Sequence, residues 1–388
     1  MVDTYEVMPW PDRIYQGLYR IAGTDQKERI PRSYSTQMQV MINTLNDIRT
    51  SDKQISGTHG IGVLMANSLM FQRFPDHNGY DDPQFSSFYG QTLPLLKRGI
   101  PVELVHMENT PFKDTFNGLQ VLVMSYSNMK PMKSEYHNYL ADWVKKGGTL
   151  VYCGEDVDPY QTVLEWWNTE GNAYKAPSEH LFEAMGLSRN PGDGIYRFGK
   201  GTVIVMREDP KHFVLKGGND RKYFETIASA YESKTGKKIE IKNNFMVERG
   251  PYTIAAVMDE SSSKEPLKLS GLYIDLFDKD LPVLTVKQIN PGEQGYLYDL
   301  NKVSGKVKAK VLCGASRIYD EKVGKQSYSF VAKSPLHTTN VSRVLLPRKP
   351  EKVLVNGKAE QPEWDESSKT LLLSFENDPA GVNVSIEW

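Results

Sequence analysis

The feature that most constrains this chain is a change of hydrophobic period near residue 243. Before it, short continuous apolar runs alternate with helical segments. After it, apolar and polar residues alternate position by position. The runs are "IGVLMA" (61–66), "PVELVH" (101–106), "LQVLVMS" (119–125), "TLVYC" (149–153) and "TVIVMR" (202–207). Runs of this kind suit parallel strands buried on both faces. Between them, "SSFYGQTLPLLKRG" carries Phe88, Leu95 and Leu96 at helical spacing, with a kink predicted at Pro94 and a stop at Gly99. "SEYHNYLADWVKKGG" places Tyr136, Leu140, Trp143 and Val144 on one face. It closes on Lys145, Lys146 and Gly147, the cations and glycine that suit a helix C-terminus. Strand and helix alternating over 56–243 predict a doubly wound, flavodoxin-like α/β sheet.

Over 244–388 the period is two. "FMVERGPYTIAAVMDE", "LKLSGLYIDLF", "VLTVKQINPG", "QSYSFVAK" and "GVNVSIEW" are among the strand-like stretches, separated by Pro-Gly, Asn-Gly and Asp-rich turns. This region reads as an antiparallel β-sandwich, or two small ones. Residues 1–55 fit neither pattern. "YEVMPWPDRIY" is strand-like and broken by Pro9 and Pro11, and "YSTQMQVMINTLNDI" sets Met38, Met41, Ile42, Leu45 and Ile48 at helical spacing behind Ser35 or Thr36 as N-cap. One strand remnant and one amphipathic helix make no domain. They are expected to be the tail of a preceding domain, packed onto the rest of the chain.

Composition bounds the function from outside. With 388 residues, 39% of them apolar, the chain can bury the cores of two or three domains. A net charge of -1 supplies no basic face for a phosphate backbone, so nucleic acid is not an expected partner. No apolar run reaches the ~18 residues of a membrane span. The first residues lack the apolar core of a signal peptide, and the compartment stays open. Cys153 and Cys313 lie far apart, in different predicted domains, which argues against a disulfide framework.

Ligands of a doubly wound sheet bind beyond the carboxyl ends of its strands. Here those ends carry Asn67 and Ser68, Glu108 and Asn109, Ser125 to Ser127, and Cys153 to Asp158. They form a polar rim for a ligand or another domain, or simply wet loops. The glycine-rich "SGTHGIG" (56–62) precedes its strand instead of leading into a helix, so it is not expected to cradle a nucleotide. The seven histidines form no ligand motif, and Asp156 with Asp158 falls short of a calcium loop, so no metal or other cofactor is expected. Trp166 and Trp167 point about 100° apart on a helix. One of them is thus a candidate for a sugar-binding or interdomain surface, the alternative being one core and one interface indole. Cys153 ends its strand as "VYCGED". A reactive cysteine on a strand-to-helix elbow reads G-x-C-x-G and takes a histidine as base, a role open to His180 or His212. Here Val151 replaces the first glycine, and the acids beside the thiol oppose thiolate formation. Nucleophile and core thiol both remain open readings, the second favoured.

The strings "YGQTLPLLKRGIPVELVHMEN", "LADWVKKGGTLVYCGED" and "FGKGTVIV", in this order of regions, resemble the C-terminal half of family 42 glycoside hydrolases. Those β-galactosidase-type enzymes carry a catalytic TIM barrel, a trimerisation domain of class I glutamine amidotransferase-like fold, and a small β domain. The closing "EKVLVNGKAEQPEWDESSKTLLLSFENDPAGVNVSIEW" looks like the terminal β module of glycoside hydrolases. The resemblance implies a tail of a barrel or linker over 1–55, an amidotransferase-like domain over 56–243 and a β-sandwich over 244–388. It also implies a homo-oligomer and a barrel domain or subunit as partner, docked through Glu155, Asp156, Asp158 and the Trp pair, with Asn67 and Ser125 on the same rim and carbohydrate as a further ligand. The two carboxylates of glycoside hydrolysis belong to the barrel, so the chain is expected to be a C-terminal piece or a separately encoded half, without catalysis of its own.

Overall fold

A computed structural model describes residues 15, 17–48, 53–69, 85–215, 219–303 and 308–388. The strand-like opening around Pro9 and Pro11 lies outside them, as does His77. The chain forms two compact units. One comprises the described residues up to Ile55 together with Met246–Asp259 and Glu265–Trp388; the other comprises Ser56–Phe245 and Glu260–Lys264. The first unit opens with a small hairpin, β1 (Leu18–Arg20) and β2 (Lys27–Arg29), then helix α1 (Arg32–Ile48) and strand β3 (Lys53–Ile55). Helix α1 starts directly after Pro31, so Ser35 and Thr36 lie within it instead of capping it. Both are buried, and Thr36 Oγ1 donates to the Thr339 carbonyl at 2.9 Å.

The α/β unit comes next along the chain. Its strands are β4 (Ile61–Met65), β5 (Glu103–His106), β6 (Val121–Met124), β7 (Thr149–Cys153), β8 (Gly194–Phe198) and β9 (Gly201–Met206). They lie in the order β5-β4-β6-β7-β9-β8, all parallel except β8, which returns antiparallel against β9. The order reverses between β4 and β6, which places a crevice there. Helices α2 (Ser86–Leu96), α3 (Glu135–Lys145), α4 (Pro177–Ala184), α5 (His212–Leu215) and α6 (Arg221–Thr235) complete the unit. Alternation along the strands divides the core into two. Leu122, Met124, Leu150 and Tyr152 pack under α3 and α4 with Leu140, Val144, Leu181 and Phe182. Val121, Val123, Val151 and Cys153 pack under α2 and α6 with Leu95, Tyr223 and Ile227. Two strands depart from the sequence expectation. β5 lies at the sheet edge, with three of its four residues exposed, and β8 has no long apolar run to announce it.

The β-rich unit continues with β10 (Asn244–Arg249), β11 (Tyr252–Val257), β12 (Leu267–Asp275), β13 (Val283–Ile289) and β14 (Gln294–Asp299), which with β3 form a six-stranded antiparallel sheet in the order β13-β12-β14-β11-β10-β3. The last nine strands build two further sheets. One joins β15 (Lys310–Gly314), β18 (Thr339–Leu345), β21 (Glu363–Asp365) and β22 (Thr370–Glu376). The other joins β16 (Arg317–Val323), β17 (Ser327–Lys333), β19 (Lys352–Val355), β20 (Lys358–Glu360) and β23 (Val382–Glu387). These two share a core of Tyr328, Phe330, Val344, Leu371, Leu373, Val384 and Ile386. A second core joins Val40 and Ile48 of α1 to Tyr252, Ile274, Tyr296, Leu312 and Val341. The helix of the N-terminal stretch therefore covers the β-rich unit's own core, because its apolar stripe finds the outer faces of β15 and β18.

Candidate functional site

At the carboxyl ends of β6, β7 and β9 the chain gathers three aspartates and two cations. Gly154 leaves β7 with φ near 149°, and a Cβ there would stand 3.2 Å from Ser127 Oγ and 3.3 Å from Ser125 Oγ. A glycine suits this turn over the two serines, since it adopts that φ freely and adds no atom against them. Asp156 comes two residues later at φ 61°, a left-handed conformation that aspartate tolerates. That turn sends its carboxylate back under the loop, where it accepts from Ser178 Oγ at 2.7 Å, Arg207 Nη1 at 2.7 Å and the Tyr152 hydroxyl. Asp158 caps the short helical turn Pro159–Thr162 through the Tyr160 amide at 3.1 Å. Its oxygens also accept from Lys130 Nζ at 3.0 and 2.8 Å and from Gln161 Nε2 at 2.9 Å. Asp209 accepts from Ser127 Oγ at 2.6 Å and from the Glu155 amide at 3.0 Å.

Electrostatics and burial pull against each other here. Burial raises the Asp156 carboxyl above its usual range, while Tyr152, Ser178, Arg207 and Lys130 pull it down. Burial lowers the Lys130 ammonium, opposed first by Asp158. Both partners of the Lys130–Asp158 pair are nearly dry, at 10% and 4% side-chain exposure. These groups pin the 154–162 loop to the sheet. Lys130 is itself held between β4 and β6, since its amide donates to Ser68 Oγ at 2.8 Å.

The sequence-derived residues fall into separate places. Asp156 and Asp158 turn inward onto protein partners, whereas Glu155 is exposed. Ser125 is buried, its Oγ accepting the Ser127 amide at 3.0 Å. Asn67 is exposed on the β4 side, its amide donating to Glu108 Oε1 at 2.9 Å. Trp167 is buried and donates to the Gln161 carbonyl; Trp166 is half-buried, donates to the Pro131 carbonyl at 2.9 Å, and meets His137 and His180 edge to face. Cys153 points into the core under α2 and α6, fully buried. Its thiol is pushed far up by burial, with Glu208 and Asp193 adding to the rise. No elbow forms, because the next α-helix begins only at Pro177. His180 stands on the opposite face of the sheet, on α4. Cys313 is likewise free and buried, in the other unit.

Three features escaped sequence reasoning. Lys130 and Asp209 complete the rim network, yet nothing in their local strings marks them. His137 and His180, 43 positions apart, share a hydrogen bond at 2.8 Å, and His137 Nε2 shares another with the Tyr126 hydroxyl at 2.6 Å. Burial holds His137 well below the usual imidazole range, with His180 adding to the effect. The third feature is a set of apolar side chains left outside on the same rim: Met132, Val157, Val163 and Leu164 are exposed, Leu164 at 80%. Among the described residues no group of three or more His, Cys, Asp or Glu is placed to hold a metal ion, and no described helix is long and apolar enough to cross a membrane.

Site and fold together define a two-unit protein, one α/β unit with a closed rim and one antiparallel β unit. No protein-family model matches the chain, and no curated protein matches it in sequence. Solved structures similar to it include a β-galactosidase from Bacillus circulans sp. alkalophilus, at TM-score 0.40 and 11% identity over 68% of this chain and 43% of that one. A GH42 β-galactosidase from G. stearothermophilus aligns at TM-score 0.39 and 13% identity, over 66% and 42%. A β-galactosidase from the psychrophilic Marinomonas ef1 aligns at 0.38 and 10%, over 68% and 41%. The chain spans less than half the length of each. At these identities and TM-scores the likeness assigns no activity.

Proposed function

We propose that the chain is a non-catalytic accessory and oligomerisation region of a glycoside hydrolase-like protein acting in carbohydrate metabolism. Its α/β unit is a flavodoxin-like, amidotransferase-like sheet without a reactive elbow, and its partner is a catalytic barrel domain or subunit. One observation carries this proposal: the rim where such a sheet would place its chemistry is closed by the chain's own ion pairs, while apolar side chains stand outside it. Asp156, Asp158 and Asp209 are each held by partners within the chain, which leaves none of the three free to act as acid or base. Met132, Val157 and Leu164 offer what a docking surface needs, apolar area next to an exposed carboxylate, Glu155. The sequence resemblance to the C-terminal half of family 42 enzymes supplies the identity of the partner.

The test has two arms. The purified chain, offered nitrophenyl glycosides over a range of pH, releases no nitrophenol. A family 42 barrel expressed without its own C-terminal half binds the chain in calorimetry, and Leu164→Lys with Val157→Lys weakens that binding about tenfold or more, as loss of apolar anchors does. Glycoside turnover by the chain alone, or binding indifferent to both lysines, overturns the proposal.

A further inference from the structure

The outer edge of β8 has no strand beside it among the described residues. Phe198 and Gly201 close a two-residue turn in which Gly199 takes φ 60°, the geometry that suits a tight hairpin. The pairs Phe198–Gly201, Tyr196–Val203 and Gly194–Val205 therefore exchange the ladder hydrogen bonds, since such pairs alternate along an antiparallel ribbon. The N–H and C=O groups of Ile195 and Arg197 consequently point away from β9. Among the described residues no strand takes them up, because β8 ends its sheet. Ile195 is 72% exposed. It borders a cavity of about 700 Å³ beside α6, lined also by Asp193, Arg197, Lys222, Thr226 and Ser229.

Charge decides what fits there. Asp193, immediately before β8, is spaced in alternation with Ile195 and Arg197 within it, and the three line the same cavity. If a second copy of β8 runs antiparallel with Ile195 opposite Ile195, Asp193 of each chain meets Arg197 of the other, twice over. A shift of the register by two residues loses both pairs. Such a contact is isologous and closes as a twofold dimer, with no strand edge left to propagate. Within the chain Arg197 has one modest partner, Thr202 Oγ1 at 3.1 Å, and so remains able to turn outward. Asp193 accepts from the Arg207 amide at 2.6 Å through one oxygen and stands 3.3 Å from Lys222 through the other. It is anchored but half exposed.

We propose that β8 is a dimerisation strand: two copies of this chain pair antiparallel through Ile195, with reciprocal Asp193–Arg197 contacts flanking it, joining two α/β sheets into one. The pairing goes beyond the proposed function and does not rest on it: the resemblance implies a trimerisation domain, which a closed twofold contact does not build, and the carboxyl rim takes no part in it.

Sedimentation velocity on the full chain tests it. The wild type sediments as a dimer at micromolar concentration, and Ile195→Pro or Arg197→Glu each shifts the dissociation constant upward by about tenfold or more, leaving a monomer. Proline suits this position because the lost N–H faces outward and the ladder to β9 keeps all its bonds. As a measurement independent of folding changes, Ile195→Cys in the otherwise unaltered chain is cross-linked by a short bis-maleimide into a covalent dimer, the native thiols being buried. A wild type that stays monomeric up to about 100 µM, an oligomer that survives both variants, or an Ile195→Cys chain that does not cross-link overturns the proposal. Failure here leaves barrel binding by the rim unaffected, so the two proposals fail separately.

Discussion

The carboxyl rim of the α/β sheet and the outer edge of β8 are opposite solutions to the same problem, what to do with polar groups where a sheet stops. At the rim they turn inward. Asp156, Asp158 and Asp209 find Arg207, Lys130, serines and amides within the chain, and apolar side chains stand outside. At β8 the backbone groups of Ile195 and Arg197 stay outward, and the side chains beside them carry complementary charge. The difference teaches that a surface can be made ready for a partner by leaving out either polar groups or their partners. The first yields docking by shape, the second docking by hydrogen bond and register.

Breaking the rim gives the largest effect. Lys130→Met leaves the Asp158 carboxylate nearly dry with only the Tyr160 amide and Gln161 as donors. Removing one partner of a buried pair costs about 3–5 kcal/mol, read as a fall in the urea midpoint at constant slope. The double variant Lys130→Met with Asp158→Asn recovers more than half of the loss, since no uncompensated charge remains. If the single variant unfolds like the wild type, the pair does not hold the loop.

Asp156 gives a smaller effect with a definite sign. Its folded-state pKa is raised by burial, so the stability it contributes is fully present below the unfolded value of about 3.9 and is lost as pH rises through the folded value. Asp156→Asn does not titrate. The stability of the wild type relative to Asp156→Asn therefore falls as pH rises from about 4 through the folded value. A gap that moves toward the wild type as pH rises would show Arg207 and the hydroxyls outweighing burial.

How much of this was legible in the sequence depends on the range of each signal. The period change was local and strong: "TLVYC" marks β7 residue for residue, and Tyr136, Leu140 and Val144 face the core of α3 as their spacing requires. The β8 strand was not legible, because "GIYRF" is short, flanked by glycines and faces water on one side. Lys130, Asp209 and the His137–His180 contact were not legible either, since each depends on strands brought together by topology. Asp156 and Asp158 stood out as acids in a loop, but whether they faced water or Arg207 and Lys130 was decided by φ at Gly154 and Asp156, which composition does not encode. The N-cap expected at Ser35 or Thr36 failed because Pro31, at the position before the helix, starts it earlier.

Labelling sharpens the inner side of the same comparison. Cys153 lies buried beneath the rim and Cys313 in the β unit, its thiol pushed up to about 12 by burial. Neither presents a thiolate near pH 7. Iodoacetamide therefore modifies both only as fast as the chain opens, and urea accelerates the reaction at both sites together with unfolding of their units. Rapid alkylation of Cys153 in the native chain would mean that the rim opens locally, which the ion pairs of Asp156 and Asp158 oppose.

The smallest expected effect belongs to the edge. Ile195→Pro removes an N–H that points away from β9 and a side chain already 72% exposed, so the folded monomer loses neither a ladder bond nor much buried area. At a concentration where the wild type is dissociated, its urea midpoint corresponds to a change within about 0.5 kcal/mol, the range of surface substitutions. Tyr196→Pro, one residue along, is the control. Its N–H belongs to the pair with Val203, and proline within a ladder removes that bond and strains the strand, a cost of about 3 kcal/mol or more in regular structure. A larger cost at Ile195 than at Tyr196 would mean that the hydrogen-bonding parity assigned to β8 is reversed. The Ile195 pair at the centre of the proposed dimer would then be a non-hydrogen-bonded one, and proline at 195 would no longer spare the ladder to β9.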